Sequence, residues 1–180
     1  ASSMPAFGLW FGDSHLGFGT HMPILAAAVL LARPGPVVEY GCGLYSTPLL
    51  HMLCMEMGRD LLSLDSDPSW VERFADLRHE GHRLGGFPNW TASEPIVDAS
   101  APYAVAFIDH GPDERRVVDV RRLVNRAEFV LVHDWGEAGN LSPSQQEIFD
   151  LFTFRWVSKF GPRTIVLSNV RQFTMPLSQI

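Results

Sequence analysis

Residues 36–57 read PVVEYGCGLYSTPLLHMLCMEM, and this stretch decides the fold. Pro36 to Tyr40 is a short β-branched run, and Gly41-Cys42-Gly43 ends it. Leu49, Leu50, Leu53, Cys54 and Met57 then recur at the i, i+3, i+4 spacing of a helix with one buried face. The order is strand, glycine turn, helix. Glycines at such a junction let the chain turn sharply and let a ligand approach the backbone with no Cβ in the way.

The same alternation extends in both directions. Upstream, Pro23 to Ala32 reads as a core helix, too short to span a membrane. Downstream, Leu61 to Leu64 is the next strand, and Asp65-Ser66-Asp67-Pro68 supplies a cap and a first-turn proline for a helix facing inward through Trp70, Val71, Phe74 and Leu77. A weaker strand around Arg83 to Phe87 is interrupted by Gly85 and Gly86. Tyr103 to Ile108 is a strong apolar strand. The helix Asp113 to Asn125 follows, with Val117, Val120, Leu123 and Val124 inward and arginines 115, 116, 121, 122 and 126 mostly outward. Glu128 to Val132 is another buried-type strand, followed by a short helix near Ser144 to Phe152. Phe154 to Phe160 and Arg163 to Asn169, joined by Gly161-Pro162, read as an antiparallel hairpin. The expected fold is α/β: a three-layer, doubly wound, Rossmann-like domain over residues 1–180, with a mostly parallel seven-stranded sheet and a C-terminal antiparallel hairpin. Ligands of such sheets bind at the carboxyl ends of the strands. Gly41 to Gly43, Asp65, Asp109-His110 and His133-Asp134 all fall there.

Composition narrows the ligand. The chain is 46% hydrophobic with 5 Trp and 12 Phe, far from a disordered composition. A formal charge of -6 argues against nucleic acid or an anionic membrane as partner, because phosphate binding needs a positive field. A small neutral or cationic ligand fits better; homo-oligomerisation stays open. Cys42 and Cys54 form neither a C-x-x-C nor a zinc pattern, so a reducing cytoplasm is the expected compartment. The dinucleotide fingerprint needs a third glycine where Ser46 stands, and no G-K-[ST] occurs for a P-loop.

Glu39-Tyr40-Gly41-Cys42-Gly43 resembles the E/D-x-G-x-G signature of class I S-adenosylmethionine (SAM) methyltransferases, with Tyr45-Ser46-Thr47 opening the helix behind it. Leu64-Asp65 resembles their acidic residue at the end of strand 2, Asp109 their residue at the end of strand 4, and the terminal hairpin their antiparallel strand pair. The resemblance implies SAM as cofactor, held by Glu39, Gly41, Gly43, Ser46, Thr47, Asp65 and Asp109, with Trp90 near the adenine. It also implies that residues 1–20 form a cap over the site. Carboxylates suit this ligand: one accepts two bonds from vicinal hydroxyls, and others offset the cationic sulfonium and ammonium.

Methyl transfer is an in-line displacement, so the protein aligns the reactants and removes a proton from the acceptor where there is one. His110 and His133 are the candidate bases, each beside an aspartate at a strand end, with Asp134 orienting a histidine or binding an amine. His51, His79 and His82 fall on expected helix or loop surface. Trp10 and Trp135 either wall a flat substrate or fill core. Asp109-His110 and His133-Asp134 also resemble the catechol O-methyltransferase branch. There an Asp-Asn pair helps bind Mg²⁺, but Trp135 stands at the Asn position and no lysine follows His110. Metal-independent transfer to an oxygen or nitrogen of a small molecule is therefore expected. The alternatives are SAM binding without transfer and, further off, an NAD-type oxidoreductase.

Overall fold

The computed structural model describes residues 19–98, 102–136, 141–159 and 161–175. The elements run α1 (Met22–Leu31), β1 (Val37–Tyr40), α2 (Ser46–Glu56), β2 (Leu61–Asp65), α3 (Pro68–Val71), β3 (His82–Gly86), α4 (Glu94–Asp98), β4 (Tyr103–Ile108), α5 (Asp113–Leu123), β5 (Ala127–Val132), α6 (Pro143–Asp150), β6 (Phe154–Val157) and β7 (Ile165–Ser168). The seven strands form one sheet in the order β3-β2-β1-β4-β5-β7-β6. The first five are mutually parallel, while β7 runs antiparallel to both β5 and β6.

Side chains alternate across a strand, and here both faces are buried. Val38, Tyr40, Leu62, Leu64, Ala106, Ile108, Val130 and Val132 pack on one face with Val120, Leu123 and Ile148 of α5 and α6. Val37, Leu61, Val105, Phe107 and Leu131 pack on the other with Leu25, Val29, Leu50 and Cys54 of α1 and α2. Helices on both faces make the expected three layers. Continuous apolar runs such as YAVAFI follow, since each of their residues lies in one core or the other.

The register aligns the strand ends. Tyr40 pairs with Leu64 and with Ile108, and Ile108 pairs with Val132. The residues that leave β1, β4 and β5, namely Gly41, Asp109 and His133, therefore emerge side by side, with Asp65 closing β2.

The structure revises four local readings. Gly85 and Gly86 lie inside β3 rather than interrupting it: a Cβ on Gly86 would meet the Pro68 backbone at 2.6 Å, so the strand must be bare where α3 begins. The helix expected through Leu77 is one α turn followed by a 3-10 helix, Glu72–Leu77, which still delivers Val71 and Phe74 to a small core with Cys42. The helix α5 does not turn all its arginines to solvent. Arg116 is buried, and Arg115 and Arg122 pair with Glu94 of α4. His82 is likewise buried in β3, bonded to Ser63 and to His51, not at the surface.

Candidate functional site

The turn after β1 needs the first of its two glycines. Gly41 has φ +96°, and a Cβ there would lie 2.6 Å from the Asp109 carbonyl oxygen, so only glycine lets β1 and β4 diverge this closely. A Cβ on Gly43 would press on Ser46 Oγ at 2.8 Å. The Gly43 N–H donates to Thr47 Oγ1 (2.9 Å), whose own hydroxyl donates to Glu39 Oε2 (3.0 Å). Ser46 and Thr47 are thus fully buried braces of the turn. The Glu39 carboxyl is also fully buried and its Oε1 has no partner, so burial raises its pKa from 4.5 to about 7 despite the hydroxyls of Ser46, Ser63 and Thr47.

Asp65, at the end of β2, faces the same turn. Its Oδ2 accepts the Cys42 N–H (3.0 Å) and its Oδ1 the Asp67 N–H (2.9 Å). Partial burial raises its pKa against those bonds. The helix cap falls to Asp67, whose side chain accepts from Ser69 and Trp70, leaving Asp65 directed at the turn. Trp70 Nε1 donates to the Cys42 carbonyl, which fixes the turn from the other side.

The second half of the site follows β4 and β5. His133 Nδ1 lies 3.3 Å from both oxygens of Asp109, and its Nε2 lies 3.2 Å from Thr20 Oγ1. Asp134, with φ +53°, is half exposed and 3.8 Å from His133, so Asp109 is the nearer carboxylate. The ring of His21, at the start of α1, stands edge-on to His133 with centroids 4.6 Å apart. His21 is 2% exposed, and burial, helped by His133, lowers its pKa from 6.5 to about 4.

His110 points elsewhere. Its ring is buried, stacked on Trp90 (4.2 Å, 29°), with Nε2 bonded to Asp119 of α5 at 3.0 Å. Burial works against the Asp119 charge, but His110 and Arg115 outweigh it and hold the pKa low. Trp90 is itself buried, and its Nε1 donates to the Gly111 carbonyl. The two rims are joined by Arg116, which donates from Nε to the His110 carbonyl (2.6 Å) and from Nη1 to the His133 carbonyl (2.7 Å).

With this geometry in place, known structures can be set beside it. The METTL16 MTase domain superposes with a TM-score of 0.59 at 12% identity, covering 83% of this chain and 66% of its own. The precorrin-6y C5,15-methyltransferase from Geobacter metallireducens gives 0.55 at 11% identity, covering 80% of this chain and 85% of its own. TrmK of M. capricolum, solved with its cofactor product S-adenosylhomocysteine (SAH), gives 0.55 at 6% identity, covering 83% of this chain and 69% of its own. The chain has the Rossmann-like methyltransferase fold. No family model and no curated protein sequence matches it.

In this methyltransferase fold the expected residues divide into groups. Gly41, Gly43, Asp65 and, beneath them, Glu39, Ser46 and Thr47 form one cluster. Asp109, His133 and Asp134 form a second beside it. His110 and Trp90 form a packed pair bonded to α5 and to the chain after β4. Trp135 is core, whereas Trp10 and residues 1–18 of the expected cap lie outside the described residues. Sequence reasoning missed Arg116 and Asp119 as parts of the site, and it placed Thr20 and His21 only in or beside the expected cap, with no role of their own. His21 and Thr20 carry no periodic signal, and Arg116 and Asp119 were hidden in a charged helix. Among the described residues no helix is long and apolar enough to cross a membrane.

Proposed function

We propose that the chain is a SAM-dependent methyltransferase acting on an oxygen or nitrogen of a small molecule. The observation that carries this reading is the approach of Asp65 to the glycine turn, Cys42 N–H to Oδ2 at 3.0 Å. It brings a carboxylate with spare lone pairs beside a backbone surface without side chains. The carboxylate suits the ribose hydroxyls, the bare turn suits the methionine part, and the partly exposed Asp109 supplies negative charge for the cationic groups. The TrmK structure with SAH supports this cofactor for the shared fold. The net charge of -6 favours a small acceptor over a nucleic acid, and two buried free cysteines fit a reducing cytoplasm.

The acceptor lies over the second cluster. Its oxygen or nitrogen attacks the methyl carbon as the carbon–sulfur bond breaks, giving SAH, and its proton passes to the Asp109–His133 pair. Of the two candidate histidines His133 takes the role of base, because it faces an aspartate that is 23% exposed at the rim. His110 shapes the rim through Asp119 and Trp90. Asp134 is placed to receive a cationic group of the acceptor.

Calorimetric titration with SAM, SAH and NAD tests the cofactor. SAM and SAH are expected to bind and NAD not, and Asp65→Ala should weaken both by about 10- to 100-fold, the worth of hydrogen bonds to a charged group. Absence of SAM and SAH binding to the wild type overturns the proposal.

A further inference from the structure

We propose that His21, Asp109 and His133 form a binding site for a divalent first-row transition-metal ion. One ligand atom from each lies within 4.8 Å of the other two. Two imidazoles and one carboxylate are a donor set for zinc, cobalt or ferrous iron rather than for magnesium or calcium, which prefer oxygen. Ligands at 2.0–2.1 Å from a tetrahedral ion are about 3.3 Å apart. That is the His133 Nδ1 to Asp109 separation of 3.3 Å.

Proton accounting points the same way. The Thr20 hydroxyl donates to the Pro162 carbonyl (3.0 Å) and can accept from His133 Nε2 (3.2 Å), which suits the tautomer with the ring proton on Nε2. With Nδ1 unprotonated, His133 turns a bare lone pair toward two carboxylate oxygens, a place that one cation between them fills. Beside it, His21 is buried with neither ring nitrogen hydrogen-bonded. A buried imidazole without partners is costly, and one ion at this point supplies an electron-pair acceptor to all three residues. Thr20 and Pro162 act as the outer support that fixes the ring of a metal-binding histidine, and Arg116 Nη2, 3.6 Å from Asp109 Oδ1, holds the carboxylate.

The partly exposed side of the trio is Asp109, next to the glycine turn. The ion's role, which rests on the methyl-transfer reading, is to hold the acceptor's oxygen there. With the ion bound His133 is a ligand and not a base, and the acceptor loses its proton to water from the coordinated oxygen, whose acidity the ion raises. This departs from the expectation of metal-independent transfer.

The test uses untagged full-length protein, stripped with chelator and titrated with Co²⁺ and Zn²⁺ by calorimetry, with visible absorption following Co²⁺. One equivalent per chain is expected, with a cobalt d–d band that Zn²⁺ displaces. His21→Gln and Asp109→Asn should each weaken binding by more than about 100-fold, while His51→Ala, which alters the other imidazole pair, should change nothing. Circular dichroism confirms that the variants fold, and His133→Gln serves if either does not. Absence of binding, or binding equally tight in both ligand variants, overturns the proposal and leaves an ordinary His133–Asp109 ion pair. A parallel SAM titration separates the two readings: SAM binding without metal binding sinks only this inference, and the converse sinks only the cofactor assignment.

Discussion

Replacing Glu39 with Gln removes a charge that the fold accommodates badly. The Glu39 carboxyl has no exposure to water, one oxygen without a partner, and a pKa raised from 4.5 to about 7 by burial. At about 1.36 kcal/mol per pH unit, that displacement corresponds to ~3 kcal/mol between the two protonation states. For an acid whose pKa is raised on folding, the folded chain binds more protons than the unfolded one between pH 4.5 and about 7. Stability therefore falls as pH rises through that window and levels off above it. Urea unfolding of wild type and Glu39→Gln from pH 4 to pH 8 at constant ionic strength measures the effect. Subtracting the two curves cancels His82, whose pKa is lowered to about 4 by burial and by His51 and which destabilises the fold as pH falls. The two proteins should be about equal near pH 4, and the Gln variant more stable by up to ~3 kcal/mol at pH 8. Gln keeps an acceptor for Thr47, so the brace of the turn survives. A difference curve that is flat, or that favours wild type at high pH, refutes the reasoning.

The remaining predictions concern the rim. Gly41→Ala forces a Cβ to within 2.6 Å of the Asp109 carbonyl at φ +96°, and thermal unfolding should show a loss of ~3 kcal/mol or more, with SAM affinity falling as well. Arg116→Ala removes two buried, charge-assisted bonds to the His110 and His133 carbonyls; chemical denaturation should register a loss of ~3 kcal/mol, and unchanged stability would mean that water replaces them. His133→Ala should keep SAM affinity and lose most turnover on an accepted substrate, whereas unimpaired turnover would remove this residue from the chemistry.

The sheet was largely legible because its signal is local and dense. PVVEYGCG and YAVAFIDH each show an apolar run stopped at a strand end, and each strand lies close to where its residues predict. The glycine turn was legible for the same reason. The acid–base half was less so. His110 and His133 look equivalent as residues after apolar strands. Asp119, nine residues beyond His110, holds one ring against α5, while Asp109 and Thr20 hold the other, equally buried, beside a partly exposed carboxylate. Arg116 looked like another solvent-facing arginine on a polar helix, since a chain of letters does not show which carbonyls lie within its reach.

By itself, then, the sequence determined the order of elements, the apolar faces of the helices and strands and the glycine turn, because each depends on residues close together along the chain. Tertiary structure alone decided which titratable groups meet. Glu39 with Thr47, and above all His21 with His133 and Asp109, are brought together by strand register and by the seating of α1 on the sheet. Burial then sets their charge, and burial is a property of the packed molecule rather than of any one segment.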